Sequence, residues 1–302
     1  MTKLLSDFQQ DLELRGLTKN TIYNTVGSVR AYLCWSESQR ADPLSIENLL
    51  AYLKYIRTER SLKSTTVERH FQRIGLWFEF LEEMRLIESN PMPRLRKRYL
   101  RSYKDPVSHR RLISVEEAAR MVRATIDTRD RAMLMLLFKT GVRRHELVAL
   151  DVDDVDIEKL SILLKPTPKR SNRIVYFDEE TARVLRRWLF VRSSRLKKRG
   201  ERALFLSRTG TRMRADTVFK IVAKAAERAG LHDPRSNRPE DHFSPHCCRH
   251  WFTTHLIRSG MPRDYIKWLR GDAMNEAIDI YNHIDPEDVK RSYLAHIPML
   301  GV

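Results

Sequence analysis

The sequence predicts a mostly α-helical protein with two domains and one small β-hairpin. Its 302 residues exceed what a single hydrophobic core usually accommodates, so two domains are expected. Apolar residues recur at helical spacing over much of the chain, which is the pattern of helices with one buried face. Strand-like composition is found at residues 155–164 and 173–177, with a polar turn between them. A further short strand is expected at Ala203–Ser207.

The first predicted domain covers residues 1–90 and contains four helices. Thr18 or Asn20 is expected to cap the second helix, and Asp42-Pro43 is expected to open the third. The fourth helix is expected to start after Ser61. Each helix has enough apolar positions on one side to share a core with the others.

A basic segment, residues 91–111, is predicted to link the two domains. It carries eight Lys or Arg side chains against one acidic residue, Asp105. An extended segment of this charge is suited to cross a nucleic-acid duplex and bind its phosphates. A plain charged tether is the alternative interpretation.

The second predicted domain covers residues 112–302. Ser114 and Glu117 have the spacing of a capping box at its first helix. Residues 127–139 are apolar nearly all round, which predicts a buried central helix. Pro245 is expected to start another helix, because its missing N–H would lack a partner in the first turn anyway.

The charge of the chain is strongly positive, at +17 with a pI near 10. This surplus favours a polyanionic partner, and nucleic acid is the first candidate. A basic protein whose charge serves no partner is the alternative. No apolar run approaches the roughly twenty residues needed to span a bilayer, and the N-terminus does not resemble a signal peptide. A cytoplasmic protein without a membrane partner is therefore expected.

The three cysteines, Cys34, Cys247 and Cys248, suit a reducing compartment without disulfide bonds. His246, Cys247, Cys248 and His250 form a potential metal cluster in the sequence. Neighbouring residues of a helix diverge by roughly a hundred degrees, so these four cannot converge on one ion. No metal site is expected.

Three short segments carry groups that suit a phosphodiester. Thr140–Glu146 places Arg143 after the central helix, and Glu146 lies three residues later, close enough to orient its guanidinium group. His246 and Arg249 are three residues apart on one helix, so both face the same side. Tyr281 follows about thirty residues later, between apolar and polar neighbours. Together they offer a nucleophile, a proton-transfer group and two fixed cations.

The order and spacing of these segments resemble the tyrosine recombinase (phage integrase) family, in particular its Xer-like members. The resemblance runs from about Ile113 to the C-terminus, and residues 1–90 are compatible with the family's helical DNA-clamping domain. It implies a catalytic α+β domain that cuts and rejoins double-stranded DNA through a 3′-phosphotyrosyl intermediate, without ATP, metal or other cofactor. Arg270-Gly271-Asp272 and the residues around Tyr281 resemble an archaeal branch of the family.

The resemblance implies a role for each residue of the motif. Tyr281 is the expected nucleophile, and Arg143 and Arg249 neutralise the non-bridging oxygens. His246 assists proton transfer from the tyrosine or hydrogen-bonds the phosphate. Lys169, in the turn of the predicted hairpin, protonates the leaving 5′-oxygen.

Alternatives exist for three of these assignments. Lys165 also lies in the hairpin turn, although its surroundings are proline-rich. His250 could replace His246, but it lacks the three-residue spacing to Arg249. The other candidate nucleophiles are Tyr176, Tyr265 and Tyr293.

Asp272 stands nine residues before Tyr281, at a place where the family commonly has histidine. A carboxylate beside a phosphate is unfavourable unless it pairs with an arginine or carries a proton. We therefore expect Asp272 to support Arg249 or Arg270, or to accept a hydrogen bond from a group that contacts phosphate.

Basic residues outside the motif are the expected DNA contacts. Those on the fourth helix are Arg69 and Arg73, for which a solvated helix face is the alternative. Those in the linker are Arg94, Arg96, Lys97, Arg98 and Arg101.

The resemblance also implies an assembly, most simply a homotetramer on two specific DNA sites, acting at the nucleoid. Residues 297–302 form an apolar tail that is expected to dock onto a neighbouring protomer. Two other functions are compatible with the same motif. One is a type IB topoisomerase, and the other is a non-catalytic DNA-binding protein of the same fold.

Overall fold

The computed structural model of the chain describes residues 2–101, 112–166, 172–197, 200–272 and 284–302. Contacts between Cα atoms divide the chain into two compact units, Met1–Val107 and Ser108–Val302. The predicted fold class, mostly α with one small sheet, is confirmed. Among the described residues, we find no helix with the length and apolar character that crossing a membrane requires.

The first unit is built on four helices that share one core. They are α1 (Thr2–Leu14), α2 (Lys19–Ser38), α3 (Ile46–Thr58) and α4 (Ser64–Glu83). Aromatic side chains fill the centre, where the ring of Phe8 meets Trp77 edge-on with centroids 5.3 Å apart. The four helices predicted from apolar spacing are therefore present, each with its apolar side in this core.

Helices α2 and α3 start where a side chain accepts a hydrogen bond from a free backbone N–H group. Thr18 caps α2, because its Oγ1 accepts from the N–H of Thr21 at 3.3 Å. The expected start of α3 at Asp42-Pro43 is wrong, since Ser45 is its N-cap. Asp42 instead accepts from the N–H of Leu44 at 3.0 Å, which folds a local turn before the helix begins.

The basic segment after α4 is not extended where the structure describes it. Residues Met92–Leu95 form helix α5, and Arg96–Leu100 continue as a π-helical turn. The expectation of an extended chain is therefore wrong for these residues. The physical reason is apolar, because Met92, Leu95 and Leu100 are buried in the core of the first unit. Residues 102–111 lie outside the described residues.

The second unit combines helices with one three-stranded antiparallel sheet. Its helices are α6 (Val115–Arg123), α7 (Thr128–Thr140), α8 (Arg144–Ala149), α9 (Glu179–Arg195), α10 (Ala215–Arg228), α11 (Pro245–Arg258), α12 (Arg263–Arg270) and α13 (Pro286–His296). The strands are β1 (Val155–Asp156), β2 (Ser161–Leu164) and β3 (Arg173–Tyr176), in the order β1-β2-β3. Short 3₁₀ turns lie at Val152–Asp154 and Pro239–Asp241.

The strand expected at Ala203–Ser207 does not form. Only two isolated bridges are made there, Asp151 with Ala203 and Leu206 with Arg212. The apolar side chains of this run are buried in the core of the unit, so its composition reflects burial and not a strand.

Helix α7 is the centre of the second unit, as its apolar sequence predicts. Every residue from Ala132 to Phe138 is buried. The ring of Phe138 meets Trp251 of α11 edge-on, with centroids 5.2 Å apart. Asp127 caps the start of α7, and the capping box predicted for Ser114 and Glu117 is present at α6. Because neighbouring elements surround α7, its C-terminal end is fixed in position.

The C-terminal tail packs on its own unit in this structure. The carboxylate of Glu180 accepts from the N–H groups of Leu300 at 2.9 Å and Val302 at 2.6 Å. The fully buried ammonium group of Lys139 pairs with Glu180 at 3.0 Å and donates to the carbonyl of Pro298 at 2.6 Å. The expected docking of this tail onto a neighbouring protomer stays a prediction.

Gly141 ends α7 in the left-handed conformation, with φ at +60°. A Cβ atom at this position would lie 2.5 Å from Cδ1 of Phe252 in α11. Only glycine therefore allows the chain to turn here while α11 stays in contact.

We expect Gly141→Ala to lower the free energy of unfolding of the second unit by about 2–4 kcal/mol. The left-handed backbone and the overlap with Phe252 each contribute to this cost. Gly27→Ala in α2 is the control, because nothing lies within 4 Å of its added Cβ and helix propensity predicts a gain of about 0.5–1 kcal/mol. Urea unfolding followed by tryptophan fluorescence measures both. An unchanged midpoint for Gly141→Ala would contradict the expectation.

Candidate active site

The turn between α7 and α8 places Arg143 at the site. Its N–H donates to Oε2 of Glu146 at 2.7 Å, and its Nη1 donates to Oε1 of the same carboxylate at 3.4 Å. The contact predicted from the three-residue spacing is therefore present. Arg143 remains about one-third exposed, so its guanidinium group is held from one side and accessible from the other.

Arg249 approaches the same place from α11. Its side chain is 6% exposed, and its Nη1 donates to the carbonyl of Gly141 at 2.6 Å. Burial, together with the neighbouring guanidinium groups of Arg143 and Arg270, lowers the pKa of Arg249 to about 9, while Asp272 and Glu146 oppose this shift. Arg249 thus keeps its positive charge at neutral pH.

The end of α12 brings the two arginines together. The carbonyl oxygen of Arg270 accepts from Nη2 of Arg249 at 2.9 Å and from Nη1 of Arg143 at 3.4 Å. Helix α12 is capped by Gly271, which has a φ of +59° and turns the chain sharply. One backbone oxygen therefore fixes the distance between two side chains that are 106 positions apart in the sequence.

Asp272 lies among three guanidinium groups. Its Oδ1 is 3.4 Å from Nη2 of Arg249 and 3.8 Å from Nη2 of Arg143, and its Oδ2 is 2.8 Å from Nε of Arg270. The arginine pairing expected for this residue is present. The carboxylate offsets part of the repulsion between the cations. Its part in a reaction stays a prediction.

Glu146 is shared between two arginines. Besides Arg143 it binds Arg173 of β3, whose Nη2 is 2.9 Å from Oε1. Burial raises the pKa of Glu146, but the N–H of Arg143 and the charges of Arg173 and Arg143 outweigh it, so the pKa stays below its usual value. Sequence reasoning missed Arg173. A lone arginine at the start of a strand has many uses, and nothing in its neighbours singles it out.

Of the remaining motif residues, the structure describes only the histidines. His246 is exposed on α11, one turn before Arg249, and His250 is exposed as well. Lys169 and Tyr281 lie outside the described residues. In the part of the chain that the structure describes, no group of three or more His, Cys, Asp or Glu side chains could hold a metal ion.

Lys165, the alternative lysine, is already paired. Its Nζ lies 2.5 Å from Oδ2 of Asp151 and 3.3 Å from Oδ2 of Asp154. These two carboxylates hold the ammonium group beside the 3₁₀ turn that follows α8.

Two of the alternative nucleophiles are buried donors in the core. The hydroxyl of Tyr176 donates to the carbonyl of Pro286 at 2.9 Å, and that of Tyr293 donates to the carbonyl of Lys139 at 2.8 Å. Burial, and next the carboxylates of Glu287 and Asp285, raise the pKa of Tyr176 to about 12. Burial also raises the pKa of Tyr293 well above 10. Neither hydroxyl is accessible to a phosphate in this fold.

The DNA contacts expected in the first unit are mostly exposed. Arg69 is exposed on α4, and Arg73 is half-buried with its Nη1 donating to Oγ of Ser28 at 3.3 Å. In the segment after α4, the side chains of Arg94, Lys97, Arg98 and Arg101 are exposed and that of Arg96 is half-buried.

A second basic surface, which we call the basic cleft, lies in the second unit between α10, the end of α9 and the turn at residues 207–209. It has a volume of about 1160 Å³. Its cations with no ion-pair partner among the described residues are Lys197, Arg208, Lys220, Lys224 and Arg228. Sequence reasoning missed this cleft. The four-residue spacing of Lys220, Lys224 and Arg228 on one helix was the available signal.

Comparison with known proteins places this geometry in a family. The model of the phage integrase family matches residues 110–288, which is more than half of the chain, and that of the phage integrase N-terminal SAM-like domain matches residues 4–88. The chain belongs to the phage integrase family. The family predicted from the motifs is thereby confirmed, and so is the predicted enzyme class, a tyrosine-type site-specific DNA recombinase, because the similar curated proteins are tyrosine recombinases.

Two tyrosine recombinases match this chain along most of their length. The tyrosine recombinase XerC of Herpetosiphon aurantiacus is 29% identical over 282 residues, covering 89% of this chain and 86% of the relative. The tyrosine recombinase XerD of Corynebacterium glutamicum is 28% identical over 291 residues, covering 91% of each.

Solved structures share the fold. The Tn1549 transposon integrase in complex with transposon right end DNA gives a TM-score of 0.69 at 18% identity, covering 96% of this chain and 97% of that one. A lambda integrase dimer bound to a COC′ core site gives 0.68 at 13% identity, covering 95% and 99%.

We expect Asp272→Ala to lower the free energy of unfolding by about 1–2 kcal/mol, because three guanidinium groups lose a partly exposed partner. Inorganic phosphate is expected to raise the Tm of this variant more than that of the wild type, because the anion can occupy the place of the carboxylate. Thermal unfolding at constant ionic strength, with chloride replacing phosphate, measures this.

The control for this experiment is Asp264→Ala, which removes an exposed pair with Lys267 at 3.6 Å. It is expected to respond to phosphate as the wild type does. Equal phosphate responses for Asp272→Ala and the wild type would show that the carboxylate does not lie in an anion site.

Proposed function

We propose that this recombinase uses Tyr281 as its nucleophile, Arg143 and Arg249 to bind the scissile phosphate, and Lys169 and His246 for proton transfer. The observation that carries the proposal is the pair of guanidinium groups joined on the carbonyl of Arg270. Two fixed cations on one oxygen suit a single phosphate group, whose two non-bridging oxygens are the charged atoms of a DNA backbone.

The proposed reaction exchanges one phosphodiester for another. The phenolic oxygen of Tyr281 forms a bond to phosphorus, and the bond from phosphorus to the 5′-oxygen breaks. Lys169 gives a proton to that leaving oxygen, so the products are a 3′-phosphotyrosyl link and a free 5′-hydroxyl. The energy of the broken bond is kept in the new one, and attack by a 5′-hydroxyl of another strand rejoins the DNA.

Arg143 and Arg249 act where charge develops. In the transition state the two non-bridging oxygens gain negative charge, and prepositioned donors stabilise it without reorganising. The contacts to Glu146 and to the carbonyls of Gly141 and Arg270 support this role, because they leave each guanidinium group little freedom to move. His246, exposed one turn before Arg249, can take the proton of the tyrosine or donate to the phosphate.

Binding of double-stranded DNA is supported by cations in both units. In the first unit they are Arg69, Arg73 and the basic residues after α4, and in the second unit they are those of the basic cleft. Lys and Arg side chains that meet phosphates release counterions from DNA, which provides affinity without sequence preference.

We further propose that the active assembly is a homotetramer on two specific recombination sites at the nucleoid. Recombination between two duplex sites cuts four DNA strands. Four nucleophiles are therefore needed if each protomer cuts one strand. The lambda integrase relative was solved as a dimer on a core site, which supports assembly on DNA as the mode of action. Relaxation of supercoiled DNA by a single protomer, as in a type IB topoisomerase, is the less favoured function, because the curated relatives are recombinases.

We expect a covalent protein–DNA adduct when the protein meets a duplex site nicked near the crossover, because the nick lets the released fragment diffuse away before rejoining. Denaturing gel electrophoresis measures the adduct. Tyr281→Phe is expected to abolish it, while Tyr265→Phe retains it. Persistence of the adduct in Tyr281→Phe would assign the nucleophile elsewhere, and its absence in the wild type, with DNA binding intact, would indicate a non-catalytic DNA-binding protein.

We expect Lys169→Ala to slow cleavage of ordinary DNA by about 10²–10⁴-fold, the usual contribution of a general acid. A substrate with sulfur in place of the leaving 5′-oxygen is expected to restore the rate, because a thiolate leaves without a proton. Lys165→Ala is the matched control and is expected to cleave each substrate at the wild-type rate. If the sulfur substrate rescues Lys165→Ala and not Lys169→Ala, the assignment of the two lysines is reversed.

A further inference from the structure

We infer that Arg173 is a positioning residue of the recombinase, which holds Glu146 and the end of α12 so that Arg143 and Arg249 face one phosphate. The inference rests on the proposed function and adds a residue to it. Arg173 does not itself belong to the pair proposed to bind phosphate.

The guanidinium group of Arg173 makes two directed contacts inside the site. Its Nη2 lies 2.9 Å from Oε1 of Glu146, and its Nε donates to the carbonyl of Leu269 at 3.1 Å. The side chain is 9% exposed, so both contacts are largely shielded from water. Such charge-assisted bonds restrict both partners more than exposed ones do.

Arg173 also fits under the turn that ends α12. A Cβ atom at Gly271 would lie 2.8 Å from Cδ and 2.9 Å from Nε of Arg173. The backbone of the turn therefore rests directly on the arginine side chain. This close approach limits how far the turn can move toward β3. It therefore also limits the positions of the residues on either side, Arg270 and Asp272.

These contacts reach both arginines that are proposed to bind phosphate. Glu146 accepts from the N–H and from Nη1 of Arg143, and it is the group that Arg173 holds. The carbonyl of Arg270 accepts from Arg143 and Arg249, and it lies in the turn that Arg173 supports. One side chain thus links β3, α8 and α12 at the two points that orient the cations.

The strand that presents Arg173 is itself fixed. Arg173 is the first residue of β3 and pairs with Leu164 of β2. Val175 and Tyr176, two and three residues later, are buried in the core of the unit. A guanidinium group anchored in this way can hold Glu146 in place, and through Glu146 the more exposed Arg143.

The simplest competing explanation is that Arg173 only stabilises the fold. The two explanations differ in how the defect of a variant depends on the charge of the scissile group. A fold defect reduces cleavage of every substrate equally. A defect in aiming Arg143 and Arg249 matters most when the phosphate carries its full charge.

The experiment compares single-turnover cleavage of two substrates by full-length protein at saturating concentration. One has an ordinary scissile phosphodiester, and the other has a methylphosphonate, in which a methyl group replaces one non-bridging oxygen. The same bond to phosphorus forms and the same bond to the 5′-oxygen breaks in both. The methylphosphonate has no net charge, so it needs less help from the two arginines.

We expect Arg173→Ala to cleave the phosphodiester about 10- to 100-fold more slowly than the wild type, the range expected for misplaced catalytic groups. On the methylphosphonate we expect a loss of about threefold or less, because its transition state carries one negative charge on one non-bridging oxygen, against two charges on two oxygens for the phosphodiester. On the phosphodiester, the rate of Arg173→Lys is expected to fall between those of the wild type and Arg173→Ala. Lysine keeps the positive charge but lacks the forked guanidinium group that binds both Glu146 and Leu269.

Arg186→Ala is the matched control, since Arg186 on α9 is 47% exposed and pairs with Glu158 and Glu179 at 3.7 Å. It is expected to cleave both substrates at the wild-type rate. Equal losses on both substrates for Arg173→Ala and Arg173→Lys, or no loss at all, would overturn the inference. If the wild type itself forms no covalent adduct on either substrate, the proposed function fails; if the wild type forms the adduct and the losses of the Arg173 variants are equal, only the inference fails.

Discussion

The site depends on holding several guanidinium groups close together against their mutual repulsion. Two unit charges 4 Å apart repel by about 4 kcal/mol at the effective dielectric constant near a protein surface. Two carboxylates, Glu146 and Asp272, and the backbone oxygens of Gly141 and Arg270 offset this repulsion. The arrangement leaves a region of positive charge, which is where we propose that the scissile phosphate binds.

The position of this cluster follows from the packing of α7. Because the helix is buried all round, its C-terminal end cannot shift without moving neighbouring elements. Gly141 then turns the chain in the left-handed conformation, so that its carbonyl meets Arg249 and the next residues deliver Arg143. The packing of the core therefore positions the site, and a change in the core around α7 is expected to move the arginines.

Much of the local structure could be predicted from the sequence because the causes are local. The capping box at Ser114 and Glu117, the helix starting at Pro245 and the contact of Glu146 with Arg143 all depend on residues within four positions. The start of α3 was missed because two nearby residues, Asp42 and Ser45, could each cap it, and the sequence pattern did not select between them.

The helical segment after α4 could not be predicted from its charge. Its basic residues dominate the composition, yet three apolar side chains, Met92, Leu95 and Leu100, decide its conformation by entering a core built elsewhere. Arg173 and the basic cleft were missed for a related reason. The contacts of Arg173 lie on other elements, and the cleft needs the end of α9 and the turn at residues 207–209 to come beside α10, which only the folded chain brings about.

The sequence by itself determined the family and most of the helices, because periodicity, caps and short motifs are encoded over a few neighbouring residues. Only the tertiary structure decided which charged groups pair with one another. Arg143 precedes α8, Asp272 follows α12 and Arg173 begins β3, and their contacts exist because β3 packs on both α7 and α12. Hydrogen bonds of this kind depend on distances of a few tenths of an ångström, which packing fixes and composition does not.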